Sequence, residues 1–392
     1  MARVLFLTSR FPYPLEKGDK LRAYNQIKLL ARRHEVHLFS LSEDRPSPAD
    51  LEAVRPYCAS ITDHTIPRWK RLARLPFALA RDLPFQVQYF HDPTALRTMR
   101  ALLATLRPDV VHTHLIRMAP YALAGQARRT TLDYMDCFSI GAEREASWAA
   151  WPKRAFLRVE GPRLKRYERR LFDRMDAACI ISPADRDQMP LPDPGQLVLV
   201  PNGVDTDVFH PLVREKGYDV LFTGHMGYPP NIAAARFTAL EVMPHLLAMR
   251  PQARLLIAGV GAPSSIHSLR SEHVTVIEHF DHIREAFAMS RVMLAPMNIS
   301  IGLQNKILQA MAMGIPVVTT TQGNAAIGAE HGRHLFVGDE PAAIAGYAHQ
   351  LLTDNELDGR MTRDARAFVQ ERFTWERACA PLERMLVPDR SQ

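Results

Sequence analysis

Cysteine is scarce in this chain. Four of its 392 residues are cysteine (Cys58, Cys137, Cys179 and Cys379), scattered and without a C-x-x-C pair. That spacing excludes a disulfide framework, argues against structural zinc, and fits a reducing cytoplasm. Long apolar runs are missing too. Residues 4–7 are apolar, but Arg10 follows too soon for a signal peptide. No other stretch reaches the roughly 18–20 uninterrupted apolar residues of a membrane-spanning helix. The expectation is a cytoplasmic protein that does not cross a membrane, free or peripheral at the inner face of the plasma membrane. Short-period repeats and low-complexity tracts are absent as well.

What is present is ordinary in amount. The chain is 47% hydrophobic and 23% charged, as soluble globular proteins are. Its length exceeds one common core and predicts two domains. A formal charge of +7 suits phosphate-rich partners: nucleotides, nucleic acid or anionic lipid headgroups.

Buried strands alternate with amphipathic helices. In the first half the pattern predicts strands at 4–9, 35–40, 109–112, 130–133 and 177–182, and helices at 24–33 and 94–106. A strand followed by turn chemistry closes this half at 198–205. The alternation restarts with strands at 219–223, 254–258, 274–277, 292–295, 316–320 and 334–337, and with helices from Asn231 and from Gln304. A last amphipathic helix is predicted over 373–385. Strand–helix alternation means parallel pairing and an α/β fold. Two such halves in tandem predict a cleft between their carboxyl-end loops, where open sheets bind ligands.

Residues 302–318 carry the strongest local signal. Gly302 opens a helix whose first turn holds Gln304, Asn305 and Lys306, and Gly314 closes it before a buried strand. A helix start with a lysine favours an anion such as a pyrophosphate. An ordinary helix–strand unit with a solvated lysine reads the same. A second cluster, Gly259-Val-Gly261 with Glu278 ending the next strand, invites a dinucleotide reading, but the third glycine is missing and the unit is short. His112 and His114 share one face of a strand. No third ligand accompanies them, so no metal site is expected. Such a pair is most often one buried, hydrogen-bonded histidine and one, here His114, that faces the cleft. The loop Gly18-Asp19-Lys20-Leu21-Arg22 reads either as a phosphate contact or as solvated surface. Basic, aromatic residues fill 67–82 and 153–174. The first stretch suits a short membrane-surface helix or a solvated insertion. No nucleic-acid motif accompanies the charge.

Three of these segments resemble one family. Val200-Pro-Asn-Gly-Val-Asp-Thr-Asp-Val-Phe209, with Pro211 after it, is similar to the interdomain signature of retaining GT-B glycosyltransferases of family 4. Leu308-Gln-Ala-Met-Ala-Met-Gly-Ile-Pro-Val-Val318 resembles that family's donor-site helix and strand, and Phe373-Thr-Trp-Glu376 the start of its closing helix. Gly224-His-Met-Gly-Tyr-Pro-Pro-Asn231 and Gln304-Asn-Lys306 resemble a subgroup tied to exosortase-associated exopolysaccharide loci. The resemblance implies two Rossmann-like domains, 1–205 on the acceptor side and 206–372 on the donor side, with 373–392 crossing back to the first.

It implies a catalytic role for His114 and donor binding by Gly18, Arg22, Gly224, Gly302, Leu303, Gln304 and Gln309. The family's Arg and Lys pair after Gly224 is missing, Asn231 and Arg236 standing in that stretch, so Lys306 is read as the catalytic positive charge in its place, with Asn231 and Asn305 as further donor-binding candidates. No cofactor and no metal are implied. The substrates would be a nucleotide-diphosphate sugar and a glycan or lipid-linked acceptor. The family's paired glutamates fall on Ile301 and Gln309, so both carboxylates are gone. That loss leaves open a catalytically reduced protein that binds nucleotide or glycan. A sugar-nucleotide epimerase shares the architecture, although the interdomain signature speaks against it.

Overall fold

The computed structural model describes residues 1–298 and 302–387. The chain divides into two compact units, Met1–Pro201 with Cys379–Gln392, and Asn202–Ala378. Each is built on one parallel sheet covered by helices, an α/β architecture of Rossmann-like type.

The first sheet comprises β1 (Arg3–Thr8), β2 (Glu35–Ser42), β3 (Ser60–Thr65), β4 (Val110–His114), β5 (Arg129–Asp133), β6 (Ala177–Ile180) and β7 (Val198–Leu199). Their order is β3-β2-β1-β4-β5-β6-β7. The inner strands are buried on both faces, which is why β1, Arg-Val-Leu-Phe-Leu-Thr, reads as a nearly continuous apolar run. Leu5 and Leu7 of β1 enter one core cluster with Phe39, Val111 and Leu132. Phe6, between them, enters the other with Leu38, Val110 and Cys179. Helix α1 (Gly18–Leu30) connects β1 to β2. It starts six residues before the predicted helix, because the segment 18–23 is polar only on paper: Arg22 lies in the interior. Helix α2 (Pro93–Leu106) leads into β4. Asp92 caps it by accepting from the Thr94 and Ala95 amides, with proline in the first turn. Helix α3 (Lys153–Phe172) leads into β6.

The second sheet comprises β8 (Tyr218–Thr223), β9 (Leu255–Ala258), β10 (Val274–Ile277), β11 (Ser290–Ala295), β12 (Val317–Thr319) and β13 (Phe336–Val337). Its order, β10-β9-β8-β11-β12-β13, repeats that of the first sheet outward from the first strand of each unit. Helix α4 (Pro229–Phe237) continues through a π-turn at Thr238–Val242 into Met243–Met249. That run is long and apolar enough to span a bilayer by length and composition, which the sequence did not lead one to expect. Ala234, Ala235, Val242, Met243 and Leu246 nevertheless lie in the core of this unit, and a core helix passes the same test. Helix α5 (Asn305–Ala312) leads into β12.

Every strand except β3 falls within two residues of its predicted place. Ser-Ile-Thr-Asp-His-Thr in β3 has no apolar run, because it is the edge strand and only half-buried.

The last helix, α6 (Trp375–Leu386), starts in the second unit and ends in the first. Leu382, Met385 and Leu386 are buried among Val36, Val54 and Val110. The Met385 carbonyl accepts from Arg129 Nε at 3.1 Å. At the helix's entry, Val204 N–H donates to the Phe373 carbonyl at 2.7 Å. A Cβ on Gly203 would stand 2.6 Å from the Trp375 backbone, so only glycine fits there.

Candidate active site

Doubly wound sheets bind ligands where strand order reverses, beyond the carboxyl ends of the strands. In the second unit that point lies between β8 and β11. Several of the residues singled out in the sequence meet there. Gly224 follows β8 and donates its N–H to the Ala258 carbonyl at 3.1 Å. Gly259, at φ +145°, lies so close that a Cβ would stand 1.9 Å from the Gly224 carbonyl oxygen. A Cβ on Gly224 itself would meet the Asn231 amide at 2.7 Å and Lys306 Nζ at 3.1 Å. The glycine therefore leaves room for these two side chains to converge.

Lys306 Nζ donates to Asn231 Oδ1 at 2.5 Å, and Asn231 Nδ2 donates to the His225 carbonyl at 3.0 Å. The ammonium also stands 3.6 Å from Met297 Sδ and 4.8 Å from the centre of the Phe222 ring. Lys306 is thus a fixed, half-buried group rather than a solvated lysine. Burial alone pushes it down to about 7, with no carboxylate among the described residues to offset the loss of water. A cation held, among the described residues, by an amide, a thioether and an aromatic face is suited to a dianionic ligand.

The start of α5 lies beside it. Gly302 adopts φ +76°, and Gln304 is the N-cap with extended backbone and no side-chain cap bond. Gln304 Nε2 donates to the Gly302 carbonyl at 3.3 Å, and Leu303 is buried. Asn305 Oδ1 accepts from Asn202 of the Pro-Asn-Gly segment at 3.2 Å. Gln309 lies three residues beyond Lys306, on the same side of the helix and half-buried. Ile301 lies outside the described residues. Glu278, the acid of the dinucleotide reading, is engaged by its own surroundings: it accepts from the Ala262 N–H and pairs with His267, both at 3.0 Å.

In the first unit the corresponding point lies between β1 and β4. The expectation of one interior and one outward histidine is corrected here. His112 and His114 are both interior, because all five residues of β4 are buried between layers. His112 Nδ1 bonds the Thr131 hydroxyl at 2.9 Å. The His114 ring stacks near Phe6, at 6.3 Å between centres. Burial pushes His114 down to about 4, so at neutral pH its ring is uncharged. Its Nε2 is buried without a partner among the described residues, as are Nε2 of His112 and the hydroxyls of Thr8, Ser9 and Thr113. Buried polar atoms are normally paired. This group at the ends of β1 and β4 can receive polar ligand atoms.

Arg22 is also a correction. Its guanidinium does not stand ready for a phosphate, since Nε donates to Asp133 Oδ2 at 2.7 Å with both side chains fully enclosed. Gln26 donates to the same oxygen at 2.9 Å, and the Met135 N–H to Oδ1 at 2.9 Å. Burial opposes the charge on Asp133, but Arg22 holds it well below the usual carboxylate range. Gly18 is the first residue of α1 rather than part of a free loop. Beside it Asp19 accepts from Arg10 at 2.5 Å.

Asp133 was missed in the sequence. An acid ending a buried strand, in Thr-Leu-Asp-Tyr, was its only local signal. The backbone beyond these strand ends is unusual as well. Leu115 and Met135 take φ +72° and +62°, a region that non-glycine residues enter at a cost and mostly at functional sites. Among the described residues no cluster of three or more His, Cys, Asp or Glu could hold a metal ion.

Two Rossmann-like units of one strand order, the second with a caged ammonium at its switch point, have the architecture of the GT-B enzymes. Residues 21–208 match the family model described as Glycosyltransferase Family 4, and residues 217–354 match that described as Glycosyl transferases group 1. The chain is a GT-B glycosyltransferase. No curated protein matches it by sequence.

Solved structures share the fold over nearly the whole chain. Sucrose-phosphate synthase from Thermosynechococcus elongatus is 17% identical, with a TM-score of 0.68 over 97% of this chain and 98% of its own. HepE from Anabaena, in complex with UDP and glucose, is 15% identical, with a TM-score of 0.68 over 98% and 99%. WaaG, a glycosyltransferase involved in lipopolysaccharide biosynthesis, is 15% identical, with a TM-score of 0.63 over 98% and 100%.

Proposed function

We propose that this chain transfers a sugar from a nucleotide-diphosphate sugar to a glycan or lipid-linked acceptor in exopolysaccharide assembly, with retention and without a metal. The observation that carries the reading is Lys306, held by Asn231 beside an uncapped helix start and with no carboxylate partner among the described residues. The glycosidic C–O bond to the β-phosphate breaks, and the leaving diphosphate gains negative charge. Lys306 and the amides of Gly302 to Asn305 stabilise that charge as it grows. The acceptor hydroxyl attacks on the face the diphosphate leaves, and its proton passes to a diphosphate oxygen. No protein nucleophile is needed, which accords with Gln309 standing where the family carries glutamate. The His114 ring, neutral and with its interior Nε2 unpaired among the described residues, donates to a sugar hydroxyl. The nucleotide-sugar supply and the four free cysteines favour the cytoplasm.

UDP, GDP and ADP sugars compared by thermal shift identify the donor, since a ligand that prefers the folded state raises the melting point. Lys306→Ala is expected to weaken donor binding at least tenfold and to lower turnover further. A charged hydrogen bond is worth about 1.5–3 kcal/mol. Unchanged binding and rate in that variant would remove the assignment. Replacement of the glutamate by Gln309 also motivates a second reading, a non-catalytic nucleotide or glycan binder. Donor binding without transfer to any acceptor or hydrolysis selects it.

A further inference from the structure

Two basic, aromatic segments far apart in sequence form one surface of the first unit. Arg163 of α3 donates to the carbonyls of Ala78 and Leu83, each at 2.6 Å. Arg170 pairs with Asp82 at 2.7 Å, and the Phe85 and Phe156 rings lie 5.4 Å apart. Glu160 accepts from the Phe85 and Gln86 amides at 2.9 and 3.0 Å, so the two segments are fastened along their length. On this surface Trp69, Leu72, Phe77, Leu79, Phe156 and Val159 all stand exposed, and Trp151, just ahead of α3, is 82% exposed. On α3 Phe156, Val159, Arg163, Arg166 and Arg170 make one stripe beside the buried stripe of Leu157, Leu164 and Leu171, and Arg158, Lys165 and Arg169 line the other side of its exposed face.

Charge selects the occupant. Residues 67–82 and 151–174 hold fourteen lysines and arginines against four acids, of which Glu160 and Glu168 are buried and Asp82 is paired with Arg170. That surplus exceeds the +7 of the whole chain, so the remainder is net acidic. Arg158, Lys165 and Arg169 are exposed and have no acidic partner among the described residues. A nucleic acid would satisfy the charge and leave the apolar side chains in water. A membrane satisfies both: anionic headgroups take the cations, whose stems lie along the apolar surface, and tryptophan suits the interface.

We propose that this surface docks the protein on a bilayer containing anionic phospholipid. The docking is independent of the chemistry proposed for Lys306. The test is co-sedimentation of the full chain with vesicles of phosphatidylcholine, with and without phosphatidylglycerol. Binding is expected only to the anionic vesicles and is expected to weaken with salt. The variant Arg158→Glu, Lys165→Glu, Arg169→Glu is expected to bind roughly 100-fold more weakly. Trp69→Ser with Phe77→Ser, exposed positions that carry no core packing, is expected to lose at least tenfold. Both variants are expected to keep the donor-induced thermal shift, which separates failure here from failure of the donor site. Indifference to phosphatidylglycerol, no vesicle binding, or oligomers by light scattering that both variants dissolve would each overturn the proposal.

Discussion

At the scale of single residues, two cations of this protein, Lys306 and Arg22, are treated in opposite ways. Lys306 has an uncharged cage and titrates near 7, whereas the lysine of the unfolded chain titrates near 10.5. A diphosphate favours its protonated form, so donor capture above pH 7 takes up a proton. The calorimetric heat of donor binding is expected to vary with buffer ionisation enthalpy at pH 8 and not at pH 6. Affinity is expected to fall as pH rises through 7. For the unliganded protein the unfolded state binds the extra proton between the two values, so this group makes stability rise with pH across that window.

Arg22 has a full counter-charge instead. Asp133→Asn is expected to cost about 3–5 kcal/mol in denaturant unfolding, because it leaves a guanidinium enclosed without its carboxylate. Lys306 was legible in the sequence because its signal is local, a lysine in the first turn after a glycine. Asp133 was not, because its meaning comes from a partner 111 residues away.

At the scale of elements, the sequence announces what is apolar and periodic and conceals what is not. The doubly buried strands could be read directly, whereas β3 could not, since an edge strand needs no apolar face. The early start of α1 was hidden for a related reason: Arg22 reads as surface until its partner is known. The likenesses at 200–211 and 373–376 gain physical content where Gly203 lies against Trp375 and the two segments bond through Val204 and Phe373. Leu382 of α6 is fully buried in the core of the first unit. Leu382→Ala is expected to destabilise that unit by about 2–5 kcal/mol, measured by denaturant unfolding, while donor affinity stays as it is.

At the scale of the molecule, two units with separate cores each carry their own stability. Calorimetric melting is expected to resolve into two components, of which donor raises the one belonging to Asn202–Ala378. Saturation at a hundred times Kd adds about 2.7 kcal/mol to that unit. The overall class was open to reading because alternation of strand and helix permits few topologies. The paired interior groups of the first unit were not, because nothing along the chain says which strand ends are neighbours. One lateral detail bears on how the protein behaves at high concentration. Asp63 of β3 is clasped by the hydroxyls of Ser40 and Ser42, each at 2.5 Å. A foreign strand adding itself at that border must smother this clasped carboxyl group, so fibre growth from this side is discouraged by chemistry.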